Sequence, residues 1–82
     1  YKPKSTIFEL ASSLGLGIAK NHPFIDGNKR TSFLLMYVFL AANGFKIETS
    51  ENDVVQVMLK VADGSMKETE LAIWLEKNTI PF

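Results

Sequence analysis

The sequence predicts an all-α domain. Apolar residues recur at helical spacing along most of the chain, and capping patterns precede several of these stretches. No segment keeps the period of two that a half-buried strand requires. The chain has 82 residues, 46% of them apolar, which predicts one globular domain over residues 1–82 with a modest core.

The first predicted helix spans about residues 6–20. Thr6 and Glu9 have the spacing of a capping box, which satisfies free N–H groups at a helix start. Gly15 and Gly17 each weaken the helix by about 1 kcal/mol relative to Ala, unless they permit a close contact with another helix. The apolar stripe expected to face the core consists of Ile7, Leu10, Ala11, Leu14 and Ile18.

The second predicted helix starts near Gly27 or Asn28, runs to about Asn43 and ends at Gly44. Its body, FLLMYVFLAA, is apolar on every side, and such helices are buried on all faces. We therefore expect the helix at about 28–43 to be the central buried element. Its ten-residue apolar run is too short to span a bilayer, which takes about 20 residues.

Two more helices are predicted after a short extended connection, FKIET. Ser50 and Asp53 indicate the start of the third helix, and Gly64 its end. Ser65 and Glu68 indicate the start of the fourth. The residues expected to face the core are Val54, Val57, Met58 and Val61 in the third helix, and Leu71, Trp74 and Leu75 in the fourth.

Composition excludes several classes of function. Nine basic residues balance nine acidic ones, so nothing favours broad binding to nucleic acid or to an anionic membrane. There is no cysteine, which is typical of a reducing cytoplasm. The chain shows no signal peptide and no initiator Met, so we expect a cytoplasmic protein from which an N-terminal segment is missing.

The segment NHPFIDGNKRTSF, residues 21–33, contains the only histidine, His22, and the only arginine, Arg30. A helix that starts in this segment presents free N–H groups and a positive dipole end, which bind anions well. Lys29 and Arg30 are unfavourable for the first turn of a helix, and an anion bound there would compensate for them. Asp26 is a hard oxygen ligand of the kind Mg²⁺ prefers, and His22 can accept a proton near neutral pH. These are the groups that phosphoryl or nucleotidyl transfer needs.

Each of these residues also has an ordinary structural interpretation. Asp26 or Asn28 is by default an N-cap, and a lone histidine before proline is most often a surface or capping residue. Phe24 and Ile25 are typical core anchors. The combination, rather than any one residue, favours a site.

The segment HPFIDGNKR resembles the motif of the Fic/Doc family. The motif positions are occupied by His22, Phe24, Asp26, Gly27, Asn28 and Arg30. The flanking pattern of one helix before the motif and three after it is also similar. The resemblance implies a Fic/Doc-like helical domain that lacks some tens of N-terminal residues.

Two positions indicate the subclass within this family. AMP-transferring members have glycine where this chain has Lys29 and a second arginine where it has Phe33. NKRT is instead the Doc (death-on-curing) variant, which implies reversed binding of ATP and transfer of its γ-phosphate. The acceptor in such toxins is a threonine of elongation factor Tu, and translation stops. The chain lacks the inhibitory string [S/T]-x-x-x-E-[G/N], so the resemblance favours inhibition by a separate small antitoxin (Phd-like).

The resemblance assigns the roles as follows. His22 is the general base, Asp26 holds Mg²⁺ or orients the nucleophile, and Phe24 anchors the loop in the core. The catalytic set is His22, Asp26, Lys29 and Arg30, and the phosphate-binding set is Gly27, Asn28, Lys29 and Arg30, with ATP and Mg²⁺ as cofactors.

Two alternatives stay open. The chain could be a Fic-type nucleotidyltransferase that tolerates Lys29 and Phe33, or a catalytically silent interaction module. The label transferred to a target separates the two enzymes, and the intact His22 argues against the silent module.

Overall fold

The computed structural model describes the backbone of residues 4–21 and 25–82, and the side chains of residues 6–19 and 30–82. Helices dominate, which confirms the predicted all-α class, and a pair of short strands is added to them. The order is α1 Lys4–Asn21, α2 Ile25–Ala42, β1 Phe45–Ile47, α3 Glu51–Asp63, α4 Glu68–Lys77 and β2 Thr79–Pro81.

Helix α1 begins at Lys4, so Thr6 lies inside the helix and the predicted capping box at its start is wrong. The predicted stripe is also wrong in part, because Leu10 and Leu14 are 41% and 39% exposed. The buried side of α1 is instead rich in small residues. It consists of Phe8, Ala11, Ser12, Gly15 and Leu16. Small side chains let neighbouring helices approach closely, a property that apolarity alone does not reveal.

The two buried serines connect α1 to its neighbours. The Ser32 hydroxyl of α2 donates to the Gly15 carbonyl of α1 over 2.7 Å. The Ser12 hydroxyl of α1 donates to the Glu68 carbonyl of α4, also over 2.7 Å. Helix α1 therefore contacts both α2 and α4, and it also touches α3, so it occupies the middle of the described fold.

Helix α2 is only partly buried. Met36 and Leu40 are fully buried, but Leu34 and Val38 are 60% and 55% exposed. The prediction that α2 is buried on all faces is therefore wrong, because α1, β1 and α3 contact the helix but leave Leu34 and Val38 uncovered. The helix ends at Ala42, and Gly44, with φ of 90°, makes the left-handed turn after it, close to the predicted end.

Both predicted ends of α3 are confirmed. The Asp53 N–H donates to Ser50 Oγ over 3.1 Å, which caps the N-terminus. Gly64, with φ of 83°, ends the helix and donates its N–H to the Val61 carbonyl. Of the four residues predicted to face the core, Val54 is half-buried and the others are buried.

The predicted start of α4 is wrong by a few residues. The helix begins at Glu68, and the Lys67 N–H donates to Glu70 Oε1 over 2.9 Å. Ser65 belongs to the preceding turn, where its N–H donates to Asp63 Oδ1 over 2.8 Å. Leu71 and Leu75 are fully buried as expected, and Trp74 is half-buried against the same core.

Strands β1 and β2 form an antiparallel pair that sequence reasoning missed. Their register pairs Phe45 with Pro81 and Ile47 with Thr79. The pair packs on α1 through Phe8, whose ring centroid lies 5.1 Å from that of Phe45. Three-residue strands are too short to show a period of two, and their pairing over a long sequence separation has no local signal.

Candidate functional site

The first turn of α2 contains most of the polar motif. Because α2 begins at Ile25, two residues before the predicted start, the backbone of Asp26, Gly27 and Asn28 lies in its first turn. The first four N–H groups of a helix have no intrahelical partner and form the positive end of its dipole. Gly27 has no side chain to obstruct an anion at that end. The backbone can therefore bind a phosphate group here.

The structure describes the predicted site residues only in part and tests none of their assigned roles. His22 and Phe24 lie outside the described residues. Asp26, Gly27, Asn28 and Lys29 lie in α2, but their side chains are outside the described set. Their assigned roles therefore stay predictions.

Arg30 is the member of the predicted site whose side chain the structure describes. It is exposed and lines a cleft between α2 and α3 with a volume of about 490 Å³. No carboxylate among the described side chains forms an ion pair with Arg30. The other lining residues are apolar: Phe33 and Leu34 of α2, and Val54, Val55, Met58 and Leu59 of α3. The cleft therefore presents one cation beside an apolar surface.

Phe33 lies in this cleft at the position where AMP-transferring Fic enzymes have a second arginine. It is half-buried, and its ring centroid lies 6.3 Å from that of Tyr37. An apolar ring packed in this way cannot bind a phosphate group. This part of the site therefore differs chemically from a two-arginine phosphate site.

Sequence reasoning missed Ser32, which follows Arg30 by two residues. Its hydroxyl is fully buried and bonded to α1, on the side of α2 opposite to Arg30, since two residues turn a helix by about 200°. The available signal was a serine directly before the apolar run of residues 33–42, because a hydroxyl that is buried there requires a hydrogen-bond partner.

In residues 6–19 and 30–82, no cluster of three or more histidine, aspartate or glutamate side chains could hold a metal ion. None of the helices in the described part of the chain has the length and apolarity to cross a bilayer.

Two comparisons identify the relatives of this chain. The sequence model of the Fic/DOC family matches residues 2–40, which include the whole polar motif up to Phe33. Toxin Doc of Mycolicibacterium smegmatis is 31% identical over 72 residues, which cover 80% of this chain and 55% of the relative. The chain thus spans about half the length of that relative. No solved structure matches the chain significantly. The polar motif, the family match and the similarity to a Doc toxin together show that this chain belongs to the Fic/DOC family.

Proposed function

We propose that the protein is a Doc-like toxin that transfers the γ-phosphate of ATP to a hydroxyl of a protein target. A threonine of elongation factor Tu is the expected acceptor, and its phosphorylation would block translation. The observation that carries this proposal is the pair Lys29 and Phe33. A cation replaces the glycine, and an apolar ring in an apolar cleft replaces the second arginine, of AMP-transferring members.

The proposed reaction uses His22 as general base. The target hydroxyl gives its proton to His22, and its oxygen attacks the γ-phosphorus. The bond between the γ-phosphorus and the oxygen that bridges to the β-phosphate breaks, so ADP leaves with the electron pair of that bond. Such transfer depends on positioning and charge neutralisation more than on covalent catalysis.

The N-terminal end of α2 supplies that neutralisation. Free N–H groups of Gly27 and Asn28 would donate to phosphate oxygens, and Lys29 and Arg30 would add two positive charges. Arg30 is exposed and lines the cleft beside this end of α2, which supports a role of its guanidinium in phosphate binding.

Asp26 fits the role of Mg²⁺ ligand. Its backbone lies in the same helical turn as the phosphate-binding N–H groups, and Mg²⁺ usually takes one or two carboxylates together with phosphate oxygens. Bound Mg²⁺ would supply further positive charge to the phosphates. The carboxylate of Asp26 would hold the ion beside them.

The cleft between α2 and α3 suits the nucleoside end of ATP. Its volume of about 490 Å³ lies within the usual range of small-molecule sites, which are mostly apolar with a few polar groups. With Phe33 in place of a phosphate-binding arginine, this side of the site favours a base over a phosphate. That preference supports binding of ATP in the reversed sense.

The partners follow from the same family. A Doc-like toxin requires a small antitoxin (Phd-like), which we propose inhibits this chain in trans, and both proteins would act in the cytoplasm. The name of the M. smegmatis relative, toxin Doc, supports this assignment.

The central experiment incubates the full-length protein with a bacterial lysate, Mg²⁺ and ATP labelled at the α- or the γ-phosphate. A γ-labelled band of the size of elongation factor Tu, absent with His22→Ala, is the expected result. An α-labelled band would identify a nucleotidyltransferase. No His22-dependent label with either ATP would contradict both enzymes and favour the silent interaction module.

Two pairs of variants test the ATP site. Arg30→Gln should weaken ATP binding, whereas Lys77→Gln, which removes the same charge from the exposed end of α4, should not. Leu34→Gln should weaken binding of ATP more than of inorganic triphosphate. Val38→Gln is its control, because Val38 is similarly exposed on α2 but does not line the cleft.

A further inference from the structure

The contact between the middle of α1 and the middle of α2 fixes where the phosphate-binding end of α2 lies. Two residues of α2 meet Gly15 of α1. Ser32 donates a hydrogen bond to the Gly15 carbonyl over 2.7 Å. Met36, one helical turn later, covers the Gly15 α-carbon, so closely that an added Cβ would lie 2.8 Å from Met36 Cγ and would also collide with Sδ.

These two contacts restrict two movements of α2 against α1, sliding along its axis and rotation about it. Sliding α2 by one residue moves it about 1.5 Å along its axis, which would break the hydrogen bond and displace Met36 from Gly15. Rotating it by one residue, about 100°, would take the fully buried Ser32 out of the interface. Because a helix is stiff over such a distance, the position of Ser32 determines that of Asn28, one turn earlier.

We infer that Ser32 is a positioning residue for the transfer reaction, acting through its hydrogen bond to Gly15. This inference rests on the proposed function for its kinetic consequence. Ser32 touches neither ATP nor the target in this scheme. Its hydrogen bond to Gly15 fixes the position of α2 along α1. It thereby also fixes the positions of the free N–H groups of the first turn and of Arg30 on the opposite face. An active-site displacement of about 1 Å can lower a rate by about 100-fold, so small changes in this contact have large effects.

The chain contains a matched control. Ser12 is as fully buried as Ser32, and its hydroxyl donates over the same distance of 2.7 Å to a backbone carbonyl. The acceptor is Glu68 of α4, so this bond does not involve α2. Ser12→Ala and Ser32→Ala therefore each remove a hydroxyl-to-carbonyl hydrogen bond of a fully buried serine. The Ser12 bond is part-buried and the Ser32 bond is buried, and only the Ser32 bond holds α2.

The experiment compares Ser32→Ala, Ser12→Ala and the conservative Ser32→Cys in the full-length protein. Thermal unfolding should show a lower melting temperature for both alanine variants, with a loss in Ser12→Ala no larger than that in Ser32→Ala, because the Ser12 bond is only part-buried. The kcat for γ-phosphate transfer should fall on the order of 10-fold to 100-fold in Ser32→Ala, stay near the wild-type value in Ser12→Ala, and recover in part in Ser32→Cys. KM should change much less than kcat in Ser32→Ala, because the binding groups remain present.

A second measurement does not depend on the reaction. Without nucleotide, the amide resonances of Gly27 and Asn28 should shift in NMR spectra of Ser32→Ala and keep their positions in Ser12→Ala. Equal kcat values for the two alanine variants, or unmoved Gly27 and Asn28 amides in Ser32→Ala, would overturn the inference. If the wild type transfers no phosphate, the proposed function fails, and the amide shifts alone decide whether Ser32 positions this end of α2.

Discussion

Replacement of Gly15 by alanine tests the close approach of α1 and α2. The new Cβ would lie 2.8 Å from Met36 Cγ and 3.0 Å from Cε, distances at which something must move. Met36 is fully buried, so its side chain has little room to adjust. Overpacking of this kind costs about 1–3 kcal/mol. Alanine also stabilises the helix by about 0.5–1 kcal/mol relative to glycine, so the net loss should reach about 2 kcal/mol.

Gly17 provides the comparison on the same helix. A Cβ at Gly17 would meet nothing within 4 Å. Gly17→Ala should therefore raise the free energy of unfolding by about 0.5–1 kcal/mol, because alanine has the higher helix propensity and causes no overpacking here. The two variants should therefore differ by about 1–3 kcal/mol in their free energies of unfolding. Urea denaturation resolves such a difference, provided that the m-values agree.

The reasoning fails if Gly15→Ala is as stable as Gly17→Ala. A double-mutant cycle with Met36→Ala identifies the cause. Met36→Ala alone should lose about 2–5 kcal/mol, but in the Gly15→Ala background the loss should be smaller, because the truncation also removes the collision. Independent effects of the two substitutions would mean that Met36 is not the residue that obstructs a side chain at position 15.

Three further predictions concern the rest of the fold. Ser50→Ala should lower the free energy of unfolding by about 1 kcal/mol in urea denaturation, because the Asp53 N–H loses its capping acceptor, and an unchanged value would argue against the cap. Leu71→Ala should lower it by about 2–5 kcal/mol, since Leu71 is fully buried, and a loss below 1 kcal/mol would contradict that burial. Hydrogen bonds from the Ser65 hydroxyl and backbone N–H hold the pKa of the exposed Asp63 below its ordinary value. The stability that these two hydrogen bonds contribute is therefore present above the pKa of Asp63 in the unfolded chain, and it is lost as pH falls through the lower pKa of the folded protein. Ser65→Ala should raise the NMR-measured pKa of Asp63, but not to its ordinary value, because the backbone N–H of residue 65 remains; an unchanged pKa would argue against the hydroxyl's contribution.

The sequence predicted elements best where the signal is local. Both ends of α3 were predictable, because Ser50 and Gly64 act on backbone groups within a few residues of themselves. The packing face of α1 was not, because Ser12 and Gly15 are neither large nor strongly apolar, and they are buried only where α4 and α2 approach. The strand pair was missed for a related reason, since each strand is defined by a distant partner.

In the candidate site, too, features with a local sequence signal were predictable and features that depend on distant residues were not. The family resemblance and the residue types were readable in the motif, and the comparisons support the family. The α2–α3 cleft beside Arg30 could not be predicted from the sequence, since four of its seven lining residues come from α3, at least 20 residues later in the chain. Its apolar lining also explains why Leu34 is exposed on a helix that apolarity alone would bury. Nothing in the structure explains the exposure of Val38.

Helix α2 presents different groups on its two faces, and this difference accounts for the composition of its first half. Ser32 and Met36 form the inner face, where a hydroxyl and a flexible thioether meet Gly15. Arg30, about 200° away from Ser32, stands on the outer face with an exposed guanidinium. Phe33 lies between them, toward α3. Under the proposed function, a change at the inner face should therefore alter the rate by moving the outer groups, whereas a change at Arg30 should weaken nucleotide binding and lower the rate without moving the helix.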